Sequence, residues 1–196
     1  RGGAETQPWV YGEKAPISSV TLRYTIESEI DYDGAILALE DAQKAEITFN
    51  SAKVDNTVIE NYVDISIFKV ALPKINKDVN ELIITYPFGE SASLESVFIL
   101  GKFGVKVNGT KAVITALPEK IGFGDITTQG FPFYGGNLTY KIPVQVKNNC
   151  LNVVASDFMG TFIGAALDGK EIGKIAYPPY LAQAENIENG NHTLEL

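Results

Sequence analysis

Residues 45–54 read AEITFNSAKV, and residues 163–172 read IGAALDGKEI. Each segment combines an apolar strand, a turn made by Asn or Asp, a lysine and a β-branched residue. A polar connection and an aliphatic strand follow each segment, and a further strand precedes it. The strands that follow are 80–86 (NELIITY) for the first segment and 191–196 (NHTLEL) for the second. The strands that precede are 20–28 for the first segment and 137–146 for the second. The sequence therefore predicts two tandem units of the same kind.

Short strands separated by turns account for most of the chain. Val20, Leu22, Tyr24 and Ile26 alternate with polar residues, which is the period of a strand with one buried face. Similar apolar runs recur along the chain, with turn-forming residues between nearly all of them. No stretch keeps a helical pattern for more than about three turns. The pattern predicts an all-β protein built from tandem β-sandwich units.

The spacing of these strands also predicts the boundaries of the units. We expect the second unit to lack a closing strand, so that the chain is a fragment of a longer protein. The predicted segments are an N-terminal extension at 1–18, a first unit at 19–108, a Gly/aromatic linker at 109–136 and a second unit at 137–196.

Charge and composition disfavour several classes of partner. The net charge of −8 and the absence of lysine and arginine clusters argue against nucleic acid and against a membrane surface. The longest apolar runs are shorter than the roughly 20 residues of a spanning helix. With one cysteine and one histidine, the chain can form no internal disulfide and no histidine metal cluster. We predict no cofactor and no metal site, and expect His192 to be solvent-exposed.

Residues 122–140, GFGDITTQGFPFYGGNLTY, combine five glycines with five aromatic residues. Glycines allow close approach of the backbone, and aromatic side chains can then fill the space beside it. A ligand site is the alternative interpretation of the same residues. We favour packing, and predict that Phe131, Phe133 and Tyr134 are buried in a join between the two units.

The second half of the chain resembles a known family of domains. LDGKEIG at 167–173, the following prolines and aromatics, and GNHTLEL at 190–196 are similar to the galactose-binding-like jelly rolls of bacterial glycoside hydrolases. The resemblance includes the sugar-binding domain of β-galactosidases and the accessory sandwiches of α-L-rhamnosidase-like proteins. Residues 45–86 match more loosely, and 117–136 resemble the linker before the second jelly roll of such proteins.

This resemblance implies a jelly-roll fold and an accessory role beside a catalytic domain of the same parent protein. Some members of that superfamily bind sugars and many only support the catalytic domain, so the fold does not decide between these roles. The resemblance favours an extracellular or periplasmic location, although no signal peptide is visible in RGGAETQPWVYGEKAPIS at the N-terminus.

Sugar binding requires aromatic faces that stack on a pyranose ring, with polar groups at its edge. Tyr177 and Tyr180 flank two prolines, which exclude a central strand and place both tyrosines on a loop or an edge. The candidate carbohydrate-binding residues are Trp9, Tyr134, Tyr177, Tyr180, Asp125 and Gln129, and we expect Tyr180, rather than the packing residue Phe133, to contact glycan. We predict no catalytic residue, because Asp125 has no acidic partner nearby in the sequence.

Three functions are compatible with these observations. The first, which we favour, is a non-catalytic accessory region of a larger glycoside hydrolase that organises domains and contacts glycan. The second is a dedicated carbohydrate-binding module with an exposed row of aromatics. The third is a cell-surface sandwich that binds a protein partner through exposed strand edges.

Overall fold

The computed structural model describes residues 15–89, 92 and 94–196. These residues form an all-β structure, which confirms the predicted fold class. Apart from strands, it contains two short 3-10 helices, Ala42–Lys44 and Ile126–Gln129. The contacts divide the chain between Phe133 and Tyr134 into two compact units. Unit 1 ends at Phe133, and unit 2 is Tyr134–Leu196.

The described part of unit 1 forms two sheets. Its strands are β1 Ser18–Ser28, β2 Ile36–Glu40, β3 Glu46–Phe49, β4 Ala52–Lys53, β5 Val58–Tyr62, β6 Asp64–Ala71, β7 Asp78–Phe88, β8 Phe98–Leu100, β9 Gly104–Asn108 and β10 Lys111–Thr115. Sheet I has the order β4-β3-β7-β1-β10-β9, and sheet II has the order β5-β6-β2-β8. One apolar core takes side chains from both sheets, as in a sandwich.

The alternation of buried and exposed side chains along the strands shows which residues form the core of unit 1. Along β7, buried Leu82, Ile84 and Tyr86 alternate with more exposed neighbours, and β1 pairs antiparallel with β7 over its whole length. Phe49 is the largest side chain among those that are almost completely buried. Burial of an aliphatic or aromatic side chain of this size contributes about 1.5–3 kcal/mol.

Unit 2 is smaller and also has two sheets. Its strands are β11 Lys141–Val146, β12 Cys150–Val154, β13 Ile163–Leu167, β14 Lys170–Ile175, β15 Leu181–Glu185 and β16 Gly190–Glu195. Sheet III has the order β11-β16-β13-β14, and sheet IV consists of β12 and β15. Val153 of sheet IV and Leu167 and Leu194 of sheet III share one core. The jelly-roll assignment and the missing closing strand stay predictions.

The strand order confirms the internal repeat. Sheet I contains the run β4-β3-β7-β1, and sheet III has the matching run β14-β13-β16-β11. The pair β2–β6 of sheet II likewise corresponds to the antiparallel pair β12–β15. The six strands of unit 2 therefore follow one another in the same order and with the same partners as six strands of unit 1. Unit 1 adds β5, β8, β9 and β10 to this shared arrangement.

The two hairpins of the repeat have matching turns. Asn50 and Ser51 have φ values of 48° and 67°, and Asp168 and Gly169 have values of 50° and 78°. Positive φ at both central residues is characteristic of a type I′ turn, which Asn, Asp and Gly favour. The polar residues at these turns therefore explain why both segments form a hairpin.

The linker predicted at 109–136 begins too early. Residues Lys111–Thr115 form β10, which pairs with β9 and runs parallel to β1 in sheet I. Beyond it, the amide of Val105 in β9 donates to the carbonyl oxygen of Gly130 at 2.8 Å. These bonds attach most of the predicted linker to unit 1. At the other end of unit 1, β1 begins at Ser18, and residues 1–14 of the predicted extension lie outside the described residues.

Candidate functional site

Asp125 and Gln129 hold the loop that contains them. Oδ1 of Asp125 accepts hydrogen bonds from the amide and the hydroxyl of Thr127, at 2.8 and 2.7 Å. Oε1 of Gln129 accepts from the amide of Gly122 at 2.7 Å, and Nε2 donates to the carbonyl oxygens of Gly122 and Asp125 at 3.2 Å. The hydroxyl and then the amide of Thr127 lower the pKa of Asp125. Both side chains therefore act as internal supports of the loop.

The aromatic residues after this loop are more exposed than predicted. Phe133 is 76% exposed, so the prediction that it is a buried packing residue is wrong. Tyr134 is 49% exposed, and its hydroxyl donates to the carbonyl oxygen of Asn137 at 2.6 Å, which fixes the ring beside its own chain. The packing of this segment between the units stays a prediction.

Tyr177 and Tyr180 have opposite orientations at one turn of unit 2. The amide of Tyr180 donates to the carbonyl oxygen of Tyr177 at 2.8 Å and closes a turn over Pro178 and Pro179, whose peptide bond is cis. The ring of Tyr180 packs against the core of unit 2 and lies edge-on to Phe158, with centroids 6.0 Å apart. Tyr177 is 77% exposed. Tyr180 therefore anchors the turn, and Tyr177 presents its ring to solvent.

A second exposed aromatic residue of unit 2 lies close to the ammonium group of a lysine. Phe162 precedes β13 and is 52% exposed. The ammonium of Lys174, on the paired strand β14, lies 5.7 Å from the centroid of its ring. A ring and an ammonium group at this separation attract each other, by about 0.5–1 kcal/mol at exposed sites. The pair offers an apolar face and a hydrogen-bond donor side by side.

An aromatic cluster on the outward face of sheet II was missed by the sequence reasoning. The rings of Tyr62 and Phe98 lie 6.0 Å apart at 53°, and the ammonium of Lys69 is 5.7 Å from the Tyr62 centroid. Lys69 also bonds Glu60 at 2.8 Å. Fully buried Ala38 is in register with both Lys69 and Phe98, so the cluster covers it. The tilted rings and the ammonium over Tyr62 favour packing rather than a flat sugar platform.

A cavity of about 300 Å³ in unit 1 was also missed. Its walls come from β1, β7, β8, β9 and β10, and Phe133 lies at its rim. The lining is almost entirely aliphatic and aromatic, with Tyr24 and Thr25 as its polar members. A sugar would need several polar groups in fixed positions, so this lining suits an apolar group better than a sugar. No local sequence signal predicts the cavity, because its walls come from five separate strands.

Trp9 lies outside the described residues. Within 15–89, 92 and 94–196, no group of three or more His, Cys, Asp or Glu side chains is placed to hold a metal ion. In the same part of the chain, no helix has the length and apolar character needed to cross a membrane. The structure thus brings Asp125 and Gln129 together in one loop, whereas Tyr177 stands at a separate turn in unit 2. Neither the protein-family models nor the curated proteins give a match to this chain.

Proposed function

We propose that the chain is a non-catalytic, carbohydrate-associated accessory region of a larger glycoside hydrolase, and that Tyr177 contacts glycan. The presentation of Tyr177 on a closed turn carries this proposal. Its partners are then a carbohydrate and the catalytic domain of the parent protein. The resemblance of residues 163–196 to sugar-binding jelly rolls supports the same assignment.

The turn fixes the backbone from which the Tyr177 side chain projects. Pro178 and Pro179 restrict the backbone, and the ring contact between Tyr180 and Phe158 fixes the far side of the turn. A side chain on a backbone that is already ordered loses less conformational freedom when a sugar stacks on it than one on a flexible loop. Tyr134 is less suited, since its hydroxyl is bonded to its own chain. We therefore assign the glycan contact to Tyr177 and a packing role to Tyr180.

Replacing Tyr177 should weaken glycan binding with little loss of stability. We expect Tyr177→Ala to raise Kd by roughly tenfold, because loss of an anchoring aromatic costs more than about 1 kcal/mol and 1.4 kcal/mol is tenfold. Calorimetric titration with galactose- and rhamnose-terminated oligosaccharides measures the change. Phe133→Ala is the matched control, because Phe133 is equally exposed at 76% and lies in unit 1. Equal affinities of the two variants would contradict the assignment of Tyr177, and no binding by the parent chain would contradict the glycan contact itself.

The chain should not hydrolyse glycosides by itself. The general acid of a glycosidase is a carboxyl group with a raised pKa, whereas the bonds from Thr127 lower the pKa of Asp125. We expect no release of nitrophenol from a panel of nitrophenyl glycosides. Turnover that disappears in Asp125→Asn would show that the chain is catalytic.

One observation favours a protein partner as a second candidate function. The hairpin of β5 and β6 exposes three aliphatic side chains, with Val63 94%, Ile65 84% and Ile59 56% exposed. Val63 has a φ of 60°, which is strained for a β-branched residue. Several exposed apolar side chains on one hairpin favour an interaction surface, whereas single exposed apolar residues are common on any protein. A dedicated carbohydrate-binding module, the remaining alternative, would bind glycan with full affinity without the rest of the parent protein.

A further inference from the structure

The single histidine of the chain is mostly covered, in contrast to the exposed position predicted for it. The side chain of His192, on β16, is 16% exposed. Its Nδ1 lies 2.6 Å from Oδ2 of Asp168, in the turn between β13 and β14. Its Nε2 lies 2.8 Å from the carbonyl oxygen of Glu188, in the connection before β16. The imidazole on β16 therefore links the turn between β13 and β14 to the connection that precedes β16.

Both partners of this imidazole are hydrogen-bond acceptors. A carbonyl oxygen and an ionised carboxylate have no proton to donate, and a neutral imidazole carries one N–H. Only the imidazolium form can donate to Asp168 and to Glu188 at the same time. The geometry thus selects the protonated form of His192.

The carboxylate of Asp168 ties the hairpin to β16 as well. Its Oδ1 accepts from the amide of Thr193 at 2.8 Å, and the amide of Asp168 donates to the carbonyl oxygen of Thr193 at 2.9 Å. Together with the bonds of His192, these bonds connect three segments: the turn between β13 and β14, strand β16, and the connection that precedes β16.

Unit 1 contains the same network built from amides. Oδ1 of Asn50 accepts from the amide of Glu81 at 2.9 Å, and the amide of Asn50 donates to the carbonyl oxygen of Glu81 at 2.8 Å. Nδ2 of Asn50 donates to Oδ1 of Asn80 at 2.8 Å, and Nδ2 of Asn80 donates to the carbonyl oxygen of Asn76 at 2.7 Å. The matching positions are Asn50 with Asp168, Glu81 with Thr193, Asn80 with His192 and Asn76 with Glu188.

An amide side chain has both a donor and an acceptor at every ordinary pH, whereas an imidazole gains or loses a donor near neutrality. We propose that the Asp168–His192 pair is a protonation-dependent latch of unit 2, and that Asn50–Asn80 is the pH-independent form of the same latch in unit 1. When His192 loses a proton, the charge-assisted bond to Asp168 keeps the remaining N–H. The bond to Glu188 is then lost, which loosens the connection over 186–189 from β16 and leaves it held by the bonds of Asn149 to Ile187 and Asn189.

The surroundings of His192 favour the protonated form. The bond to Asp168 first, and then the bond to the carbonyl of Glu188, raise the pKa of His192 above 6.5, and the negative charges of both residues act in the same direction. On the neighbouring strand β11, the register partner of His192 is the uncharged Val144. Lys141 is the one charged residue of β11, and it pairs with Glu195 at 3.4 Å at the far end of β16. The β13 segment IGAAL carries no charge.

The pH window follows from the two shifts. Since the pKa of His192 is raised in the folded chain, its stabilising effect is complete below 6.5 and is lost as pH rises through the folded value. The amide of Thr193 first, and then His192, lower the pKa of Asp168 below 3.8, so its contribution is lost as pH falls through that lowered value. The latch is therefore closed in mildly acidic solution and opens above the raised pKa of His192.

Proton NMR of the intact chain tests the latch directly, because one histidine gives one set of imidazole signals. We expect His192 to titrate above 6.5, and Asp168→Asn to move its pKa back toward 6.5. The amide of Ile187, which bonds the carbonyl oxygen of Asn149 at 3.0 Å, reports the loosening of the connection, because it exchanges faster when that bond opens more often. After correction for base catalysis, its exchange rate should rise in a step at the pKa of His192.

The double variant with Asp168→Asn and His192→Asn has the same pair of amide side chains as Asn50 and Asn80 of unit 1. It should show no step in the exchange rate of the Ile187 amide. Titration of His192 at or below 6.5 in the parent chain would overturn the proposal. A step that persists in the double variant would overturn it as well. If the double variant does not fold, the pKa of His192 measured in the parent chain decides whether the proposal stands.

Discussion

Phe49→Ala should lower the free energy of unfolding of unit 1 by about 3–5 kcal/mol, because the lost transfer energy and the remaining cavity add together. Phe49 is 1% exposed and lies on β3, in register with Leu82 of β7. Both residues belong to the core shared by sheets I and II. Urea unfolding followed by far-UV circular dichroism measures the loss, and peptide-level hydrogen exchange assigns it to unit 1.

The control for this prediction is Phe133→Ala. Phe133 is 76% exposed, so its removal should change the stability by no more than about 0.5 kcal/mol. Equal losses for the two phenylalanines would contradict the assignment of the core. A large loss at Phe133 alone would contradict the exposed position of its side chain.

Asn80→Ala should destabilise unit 1 by about 2–4 kcal/mol, because it removes three partly buried hydrogen bonds that contribute roughly 0.5–1.5 kcal/mol each. Asn80 is 1% exposed, and its side chain accepts from Nδ2 of Asn50 and from the amide of Asn76, at 2.8 and 2.9 Å. It also donates to the carbonyl oxygen of Asn76 at 2.7 Å. The substitution leaves all three of these groups without their partner. The same urea titration measures the effect.

Thr21→Ala is the matched control for Asn80. The hydroxyl of Thr21 bonds that of Thr85 at 2.9 Å on the exposed face of sheet I. Water can replace this bond, so we expect a change within about 0.5 kcal/mol. If Asn80→Ala cost no more than Thr21→Ala, the network around Asn80 would not contribute to the stability of unit 1.

The local features of this protein follow from the sequence. The alternation of Val20, Leu22, Tyr24 and Ile26 predicts β1, because successive side chains of a strand point to opposite faces. The Asn-Ser and Asp-Gly pairs, at 50–51 and 168–169, mark both hairpin turns, since these residue types tolerate positive φ. The similarity of 45–54 to 163–172 predicts the repeat, which the strand order confirms. Each of these signals is contained in about ten consecutive residues.

The parallel pairing of β10 with β1 could not be predicted in this way. Val113 and Ile114 of β10 pair with Glu27 and Ser28 of β1, which lie more than eighty positions earlier in the chain. A short apolar segment is compatible with several places in a sheet, and contacts with the rest of the fold select one of them. For this reason the sequence places these residues in a linker, and the structure places them in sheet I.

The candidate site shows the same division. The prolines between Tyr177 and Tyr180 predict a turn with two aromatic residues, and the sequence by itself determined that much. Only the tertiary structure decided that Tyr180 faces Phe158 and that Tyr177 faces solvent, because residues distant in sequence form the surface on which the turn rests. His192 is a parallel case, since Asp168 lies twenty-four positions away and meets it only when the hairpin packs beside β16. Patterns along the chain determine strands and turns, whereas the direction of a side chain and the charge it meets depend on packing.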